Sequence, residues 1–292
     1  MGTEFKKKKH YGQNFLINQA IPKRIAQESG ITGVCGVIEI GPGFGVLTKE
    51  LCAIAKKVVA VEIDSDLIPI LAKNTEGIKN LKIIHQDILK LNIAELIAGE
   101  FHGMPVCVCA NLPYYITTPI IMKLLEGRYG FESITVMVQK EVADRLCAKS
   151  GTPNYGAITA VINYYGSIKK LFTVSAGSFS PAPKVDSAVV KLDLYKEPPV
   201  FVKDEELFFS VIRASFSQRR KTIVNSLHSI LNSRFTKQEL CDIIIEIGQK
   251  QNVRGEELNI AHFAEISNRI YEKLHIKMEA NYDTKSENQC LD

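Results

Sequence analysis

The sequence predicts a doubly wound α/β domain followed by a small all-helical domain. Three observations lead to this prediction. Short apolar runs alternate with segments of helical spacing over the first two thirds of the chain, and a Gly-rich turn follows the first of these runs. After the Glu-Pro-Pro break at residues 197–199 the pattern becomes purely helical. Strands that alternate with helices are typical of a parallel sheet with helices on both faces.

The elements of the first domain follow from these runs. Strands are predicted at VIEI (37–40), KKVVAVEI (56–63), LKIIHQ (81–86), PVCVCA (105–110), ITVMVQ (134–139) and SAVVKLDLY (187–195). Helical spacing is seen in VLTKELCAIA (46–55) and DLIPILAKN (66–74). In such sheets, ligands bind beyond the carboxyl ends of the strands, so the residues that follow each strand are the candidates for a site.

The second domain is predicted to contain helices only. Helical periodicity is seen in ELFFSVIRASF (206–216), RKTIVNSLHSIL (220–231), KQELCDIIIEIG (237–248) and NIAHFAEISNRIYEKL (259–274). We therefore place an α/β domain at residues 1–196 and a helical domain at residues 200–278. The polar composition after residue 279 predicts a disordered tail at 279–292.

Composition indicates a cytoplasmic globular protein. Apolar residues make up 46% and charged residues 23% of the 292 residues, and no apolar run reaches the roughly 18 residues that a membrane helix needs. The basic N-terminus has no apolar segment behind it, so we do not expect it to be a signal peptide. Seven scattered cysteines predict reduced thiols. Cys107 and Cys109 could suggest a metal, but no partner His or C-x-x-C follows, so core thiols and no metal are expected.

The distribution of charge is more informative than the net charge of +4. No acidic residue lies between Glu206 and Glu239, and a second basic cluster, Lys6 to Lys9, lies near the N-terminus. The acid-free segment contains Arg213, Arg219, Arg220, Lys221, Arg234 and Lys237. Binding of a polyanion and a merely solvated helix face both explain this pattern, and charge alone does not separate them.

Polar residues at successive strand ends predict a nucleoside site. The first strand runs into the Gly-rich turn EIGPGFG (39–45), whose glycines allow backbone N–H groups to approach a ligand. Glu62 ends the second strand, where a carboxylate would accept hydrogen bonds from both ribose hydroxyls. Asp87 ends the third strand and could accept a bond from the amino group of adenine. Each carboxylate alone could equally be a helix N-cap.

The fourth strand ends in Asn-Leu-Pro-Tyr-Tyr, residues 111–115. This stretch resembles the Asn/Asp-Pro-Pro-Tyr/Phe signature of methyltransferases that modify a conjugated amino nitrogen. The Asn111 side-chain carbonyl and the Leu112 backbone carbonyl could each accept one N6–H bond of adenine, and Pro113 would fix the turn. Tyr114 offers a face on which an extruded base can stack, while Tyr115 needs only to pack. The alternative is that the stretch is only a turn.

Motifs along nearly the whole chain resemble one family, the small-subunit ribosomal RNA adenine N6,N6-dimethyltransferases (the KsgA family). The matching segments are GQNFL (12–16), EIGPGFGVLT (39–48), VEID (61–64), QDIL (86–89), NLPYYI (111–116), FSPAPKVDSAVVKL (179–192) and SFSQRRKTIVNSL (215–227). The first five are shared with macrolide-resistance methyltransferases that act on large-subunit rRNA. The last two favour the small-subunit family.

The resemblance implies a role for each matching residue. Asn14 and Leu16 would close over S-adenosylmethionine, Glu62 would hold its ribose, and Phe179 would face Tyr114 across a flipped adenine. The implied cofactor-binding residues are Asn14, Leu16, Gly41, Gly43, Glu62, Ile63, Asp87, Ile88 and Asn111. The implied catalytic residues are Asn111, Leu112, Pro113, Tyr114 and Phe179. The implied RNA-binding residues are Arg219, Arg220 and Lys221.

The resemblance also implies the reaction and the partner. Such an enzyme dimethylates two adjacent adenosines in a hairpin loop near the 3′ end of small-subunit rRNA, within a pre-assembled subunit, late in subunit assembly. We expect a monomer that needs neither a metal nor a membrane. The alternatives are methylation of large-subunit rRNA and a non-catalytic RNA-binding role in assembly.

Overall fold

The computed structural model describes residues 14–218 and 220–289, with backbone alone beyond residue 277. The chain forms two compact units. The first comprises the residues up to Cys147 together with Gly166–Lys196, and the second comprises Ala148–Tyr165 together with the chain from Glu197 on. Lys6 to Lys9, Gly12, Gln13 and Arg219, which the sequence analysis singled out, lie outside the described residues.

The first unit is built on a seven-stranded sheet. Its strands are β2 (Gly36–Ile40), β3 (Lys57–Glu62), β4 (Leu81–His85), β5 (Val106–Asn111), β6 (Phe131–Gln139), β7 (Gly166–Val174) and β9 (Ser187–Leu194). The order across the sheet is β4-β3-β2-β5-β6-β9-β7. Six of these strands coincide with the predicted ones, and β7 is an addition that the sequence analysis did not predict.

The strand order reverses between β2 and β5. Connections from β2 through β3 to β4 run toward one edge of the sheet, and those from β4 through β5 to β6 run the other way. Because parallel crossovers are right-handed, the two sets of connecting helices lie on opposite faces. The doubly wound fold is therefore confirmed, and a crevice is created where β2 and β5 diverge.

The far part of the sheet is antiparallel, which the sequence analysis did not specify. Strands β4, β3, β2, β5 and β6 are parallel, but β9 runs antiparallel to both β6 and β7. The reason is the connection from β7 to β9, which contains no helix to cross the sheet and returns the chain along its neighbour. Apolar patterning identifies a strand but does not give its direction.

A second sheet consists of two strands of two residues each. Strand β1 (Phe15–Leu16) pairs antiparallel with β8 (Phe179–Ser180). Leu16 lies opposite Phe179 in this pairing, and both are buried in the core that also contains Val37 and Leu51. The pairing fixes the segment that begins at Asn14 next to the large sheet.

The described residues of the first unit form six α-helices: α1 (Ala20–Glu28), α2 (Val46–Ile54), α3 (Leu67–Asn74), α4 (Ile93–Phe101), α5 (Thr117–Glu126) and α6 (Lys140–Leu146). Helix α2 begins directly after the Gly-rich turn, and α4 is capped at its N-terminus by Asn92, whose side chain accepts a hydrogen bond from the Glu95 N–H. Cys107 and Cys109 are buried core thiols, as predicted.

The second unit is helical: α7 (Ala157–Tyr165), α8 (Glu205–Ser217), α9 (Ile223–Leu231), α10 (Lys237–Glu246) and α11 (Ile260–Gln289). Helix α7 lies within the predicted α/β domain at 1–196, but it belongs to this unit. The Tyr164 hydroxyl donates to Glu205 at 2.6 Å, and its ring packs against Phe208 at 5.0 Å. Because of this aromatic packing, the second unit includes a segment that precedes the Glu-Pro-Pro break in the sequence.

The disordered tail at 279–292 stays a prediction, although part of that range is described. The backbone of α11 continues to Gln289. The sequence after residue 278 contains neither proline nor glycine, so nothing in it stops a helix. No helix among residues 14–218 and 220–289 is long and apolar enough to cross a membrane.

The packing of α4 on β2 gives a test of this fold. A Cβ atom on Gly36 would collide with the Phe101 ring, which is fully buried. Gly36→Ala should therefore lower the free energy of unfolding by about 1–3 kcal/mol, the usual cost of overpacking a core. Gly99 lies in α4, the helix that contains Phe101, and a Cβ at this position would meet no described atom within 4 Å. Gly99→Ala should therefore raise the free energy of unfolding by about 0.5–1 kcal/mol. Urea unfolding of both variants measures the difference, and equal stabilities would contradict this packing.

Candidate active site

A cleft opens at the carboxyl ends of the parallel strands, where β2 and β5 diverge. Its wall is formed by the ends of these strands and by the turns that follow them. The wall contains all nine predicted cofactor-binding residues: Asn14, Leu16, Gly41, Gly43, Glu62, Ile63, Asp87, Ile88 and Asn111. Leu112, Pro113 and Tyr114 also line it.

The Gly-rich turn forms one side of this cleft. Gly41 has φ of 66°, which favours glycine, and a Cβ at this position would meet no described atom within 4 Å. The space above Gly41 is therefore open for a ligand. The Gly41 N–H donates to the Val61 carbonyl at 2.9 Å, which ties the turn to the end of β3.

Glu62 connects the turn to β3. One carboxylate oxygen accepts from the Gly43 N–H at 3.2 Å, and the other accepts from the Asp64 N–H at 2.9 Å. Burial raises the pKa of Glu62, while these backbone N–H groups oppose the shift. Glu62 is not a helix cap, which was the alternative interpretation, since Gly43 and Asp64 are not in the first turn of a helix.

Asp87 begins the turn that follows β4. Its Oδ1 atom accepts from the Leu89 N–H at 2.9 Å, and its backbone carbonyl accepts from the Lys90 and Leu91 N–H groups. Asp87 thus has a structural role in shaping the turn and also lines the cleft. Its Oδ2 atom is the one available to a ligand.

Phe15 covers the glycine turn from the other side. Its ring lies 4.2 Å from that of Phe44, centroid to centroid. A Cβ on Gly43 would come within 3.2 Å of the Phe15 ring. The short β1–β8 sheet therefore holds an aromatic lid against the Gly-rich turn.

The Asn-Leu-Pro turn follows β5 on the opposite wall. The Asn111 amide nitrogen donates to the Asn14 carbonyl over a long 3.5 Å. That orientation leaves Asn111 Oδ1 without a partner among the described residues. The Leu112 N–H donates to the Met137 carbonyl at 3.2 Å, whereas the Leu112 carbonyl receives no hydrogen bond from a described residue. Two acceptors are thus unused in one turn.

Two hydrogen bonds to the Pro113 carbonyl stabilise the Asn-Leu-Pro turn. The Thr117 hydroxyl, at the start of α5, donates to the Pro113 carbonyl at 3.1 Å, and the Ile116 N–H donates to the same carbonyl at 3.3 Å. Pro113 has the extended conformation, with φ of −60° and ψ of 131°. These bonds satisfy the Pro113 carbonyl and fix the direction of the preceding peptide.

The two tyrosines of this turn have different environments. The Tyr114 hydroxyl is 2.6 Å from the hydroxyl of Ser187, a buried residue at the start of β9. Burial raises the pKa of Tyr114, and the Ser187 bond opposes the shift. Tyr115 is 56% exposed. Tyr114 is therefore a fixed ring on the cleft wall, while Tyr115 points more into solvent.

Phe179 is a buried residue of the short β1–β8 sheet. Its ring is only 3% exposed and belongs to the core around Leu16, and it is not part of the cleft wall. The cause is the β1–β8 pairing, which places Phe179 directly opposite Leu16. The position of Phe179 across from Tyr114, which the resemblance implied, stays a prediction.

Glu39 is the most unusual group at the site. It lies on β2 next to the Gly-rich turn, lines the cleft and is 1% exposed. Its Oε2 atom has no hydrogen-bond partner among the described residues. Burial raises the pKa of Glu39 to about 8, the nearby Thr48 hydroxyl opposes the shift, and the charge of Glu62 adds to it.

Several residues of the site were not predicted. They are Phe15, Glu39, Phe44 and Ser187. The signal for Glu39 was present in the sequence, because a carboxylate interrupts the apolar run of VIEI. No local signal identifies Ser187, since its contact with Tyr114 joins residues 73 positions apart.

The basic residues of the acid-free segment lie in the second unit. Arg220 and Lys221 are exposed in the turn between α8 and α9, which ends at Thr222, the N-cap of α9. Arg213 and Arg234 are exposed as well. Within the described part of the chain, no group of three or more His, Cys, Asp or Glu residues is arranged to hold a metal ion.

The fold and the site define a Rossmann-like methyltransferase. The doubly wound sheet has a Gly-rich turn after its first predicted strand, a carboxylate after the second and an Asn-Leu-Pro-Tyr turn after the fourth. Comparison with known proteins gives the particular family. The sequence profile described as "Ribosomal RNA adenine dimethylase" matches residues 4–272. The chain belongs to this family of RNA-modifying enzymes.

Relatives agree with this membership. The chain is 49% identical to a protein of Geobacillus thermodenitrificans named "Ribosomal RNA small subunit methyltransferase A", over 91% of this chain and 92% of the relative. A protein of the same name from Lachnoclostridium phytofermentans is 45% identical, over 91% and 92%.

Two solved structures resemble the whole fold. A dimethyladenosine transferase from Plasmodium falciparum has a TM-score of 0.74 at 30% identity, covering 89% of this chain and 98% of the other. The 23S rRNA methyltransferase ErmE has a TM-score of 0.67 at 25% identity, covering 90% and 100%.

The buried carboxyl of Glu39 predicts an unusual dependence of stability on pH. The folded protein keeps the proton on Glu39 up to about pH 8, whereas in the unfolded chain the carboxyl loses it near its ordinary value. The free energy of unfolding should therefore fall as the pH rises from the ordinary pKa of 4.5 to about 8. The contribution of this group to the fall is up to about 1.4 kcal/mol per pH unit. Glu39→Gln has no proton to lose and should remove that part of the decline.

Urea unfolding between pH 5 and pH 8 measures the effect. The stability of Glu39→Gln relative to wild type should increase with pH, whatever its value at pH 5. Glu76→Gln, which changes an exposed carboxyl of the same unit, is the matched control and should follow wild type. Parallel pH profiles for Glu39→Gln and wild type would show that the carboxyl is ionised in the folded protein.

Proposed function

We propose that this protein transfers methyl groups from S-adenosylmethionine to N6 of adenosines in small-subunit ribosomal RNA. The observation that supports this most directly is the Asn111–Tyr114 turn, which opens onto the same cleft as the Gly-rich turn and Glu62. Membership of the ribosomal RNA adenine dimethylase family supports the same reaction. The targets are two adjacent adenosines in a hairpin loop near the 3′ end of that RNA.

The cleft has the features that S-adenosylmethionine requires. Open space above Gly41 accommodates the ligand, and the wall contains carboxylates to accept its hydroxyl and amino hydrogens. A carboxylate has about four lone-pair sites, and three backbone N–H groups act on Glu62, those of Gly43, Asp64 and Ile63. Glu62 therefore keeps acceptor capacity for a ribose hydroxyl. When bound, the cofactor supplies the methyl group.

The Asn-Leu-Pro turn would hold and activate the target adenine. The N6 nitrogen of adenine is a poor nucleophile because its lone pair is delocalised into the ring. Asn111 Oδ1 and the Leu112 carbonyl, the two unused acceptors of the turn, would each accept one N6–H bond. Such bonds strengthen as the nitrogen becomes pyramidal, so they stabilise the transition state more than the bound substrate.

Tyr114 would provide the surface on which the extruded adenine stacks. Its hydroxyl is fixed by Ser187, so the ring is already oriented before the base arrives. Stacking of a base on an aromatic ring contributes about 1–3 kcal/mol. The resemblance also implies that Phe179, which pairs with Leu16 of the cleft wall, faces Tyr114 across the adenine, and we keep this role as part of the proposal.

The small subunit is favoured over the large one as the substrate. Identity reaches 49% with a relative named for the small subunit, compared with 25% for the large-subunit enzyme ErmE. We further propose that the substrate is a pre-assembled small subunit late in assembly and that the enzyme acts as a monomer in the cytoplasm.

Contact with the rest of the RNA would come from the second unit. Arg220 and Lys221 are exposed, and the segment between Glu206 and Glu239 contains no acidic residue. Together with Arg219, they would bind rRNA phosphates, which increases affinity without reading the base sequence.

The proposed function makes a prediction for Asn111. Asn111→Ala should lower the single-turnover rate of methyl transfer to unmodified small subunits by at least about 10²-fold, because it removes one preorganised acceptor. Binding to the subunit should be nearly unchanged. Asn111→Asp keeps an acceptor oxygen and should retain more activity than the alanine variant.

Tyr114 variants provide the matched comparison. Tyr114→Phe keeps the ring and should have a mild effect, whereas Tyr114→Ala should impair both base capture and rate. Mapping of the modified nucleotides on small and large subunits identifies the substrate. Methyl transfer by Asn111→Ala at the wild-type rate would contradict this role of the turn, and methylation of large subunits alone would contradict the proposed substrate.

The proposed function also makes a prediction for the basic residues between α8 and α9. Replacing Arg219, Arg220 and Lys221 by Ala should reduce the slope of log affinity against log salt for subunit binding, by about 0.7–0.9 for each phosphate that is no longer neutralised. Cofactor affinity should not change. Lys250→Ala, an exposed lysine of the same unit outside the acid-free segment, is the control. An unchanged salt slope with a lowered melting temperature would indicate that these residues have a structural role instead.

A further inference from the structure

Helix α5 is attached to the turn that would hold the target base. It begins at Thr117, two residues after the Asn-Leu-Pro-Tyr-Tyr stretch, and the Thr117 hydroxyl donates to the Pro113 carbonyl at 3.1 Å. Ile120, three residues further along the helix, is buried and lines the cleft. Helix α5 therefore continues the Asn-Leu-Pro turn and also contributes to the cleft wall.

Lys123 attaches the same helix to a second turn, the one that follows β4. Its Nζ atom donates to the Leu89 carbonyl at 2.7 Å and to the Leu91 carbonyl at 2.8 Å. Residues three apart lie on the same face of a helix, so Lys123 shares a face of α5 with Ile120. The two ends of α5 are thus bonded to two different turns of the site.

The turn that Lys123 holds is the turn of Asp87. The Asp87 backbone carbonyl accepts from two N–H groups further along the turn, and its Oδ1 atom accepts from the Leu89 N–H at 2.9 Å. These bonds stabilise the turn from within, but they use none of the carbonyls after Asp87. Lys123 provides the donor for two of those, the carbonyls of Leu89 and Leu91.

An ammonium group is well suited to this task. It has three N–H donors, and two of them bond to carbonyls of half-buried residues. Hydrogen bonds from a charged donor are stronger than those between neutral groups, and a buried carbonyl that loses its donor is costly. Without the ammonium group, the turn would have to move so that both carbonyls reach water.

We propose that Lys123 is a positioning residue that fixes the Asp87 turn on α5 and thereby makes the cleft selective for a cofactor whose base has an amino group. This inference rests on the proposed function, because it requires a nucleoside cofactor in the cleft. Lys123 is not part of the described cleft wall, so it acts only through the turn that it holds.

The selectivity follows from the chemistry of two purine bases. Adenine has an amino group at C6, which donates to a carboxylate, whereas hypoxanthine has a carbonyl oxygen there, which a carboxylate repels. A site that is built to bond a donor rejects the analogue that lacks it. The strength of this rejection depends on the position of Asp87 Oδ2, so it should be lost when the turn is released from α5.

Two ligands that differ only in the base measure this selectivity, S-adenosylhomocysteine and S-inosylhomocysteine. In isothermal titration, wild type should prefer the first by about 10–100-fold, the effect of one hydrogen bond to a charged group. Lys123→Met keeps the apolar stem and removes the ammonium group, so this preference should fall by about tenfold. Lys90→Met removes an exposed lysine of the same turn and, as the matched control, should keep the wild-type preference.

The ratio of the two affinities separates positioning from stability. Both ligands bind the same folded protein, so a variant that is merely less stable binds both more weakly and keeps the ratio. Lys123→Arg retains a charged donor and should recover most of the preference. At saturating S-adenosylmethionine, methyl transfer by Lys123→Met should be close to the wild-type rate, while KM for the cofactor rises.

A further variant, Lys123→Gln, retains an uncharged donor on a shorter side chain and should have a preference below that of wild type. It decides the test if Lys123→Met does not fold. An unchanged preference in the folded variant would overturn the inference, and so would equal binding of the two ligands by wild type. In both cases S-adenosylmethionine still binds and the proposed function stands. If wild type binds neither S-adenosylmethionine nor S-adenosylhomocysteine, the proposed function fails with the inference.

Discussion

The position of β2 between β3 and β5 is the constraint on which the site depends. Both neighbours are parallel to β2 and in continuous register with it, so three strand ends meet at one edge of the sheet. The chain leaves β2 through the Gly-rich turn, β3 through Glu62 and β5 through the Asn-Leu-Pro turn. Because the crossovers from β2 and to β5 run in opposite directions, no helix of the described chain covers the gap between these ends.

The fold was largely predictable because most of its information is local. Six of the seven strands of the large sheet appear as apolar runs, and the Gly-rich turn and Glu62 follow from their places after those runs. The missing strand, β7, has an alternating pattern, GSIKKLFTV, with lysines on its exposed positions. Such a strand lacks the continuous apolar run of a strand that is buried on both faces.

The features that the sequence did not predict depend on contacts between residues that are far apart in the chain. The place of α7 in the second unit follows from its packing against Phe208, and the burial of Phe179 follows from its pairing with Leu16. Both contacts join residues that are far apart in the chain, and neither leaves a periodic signal. The buried carboxyl of Glu39 is of the same kind, because its neighbours lie on β3 and β5, which are separate from β2 in the chain.

The two-residue pairing of β1 with β8 has a consequence for the newly made chain. Phe15 and Leu16 are among the first residues of the described structure, yet their partners, Ser180 and Phe179, are separated from them by most of the first unit. During synthesis from the N-terminus, the aromatic lid over the Gly-rich turn has nothing to pair with until β8 has emerged. The strands that form the floor of the cleft come first and the segment that closes it is fixed last, so a nascent chain has the parallel strands of a binding site well before it can enclose a ligand.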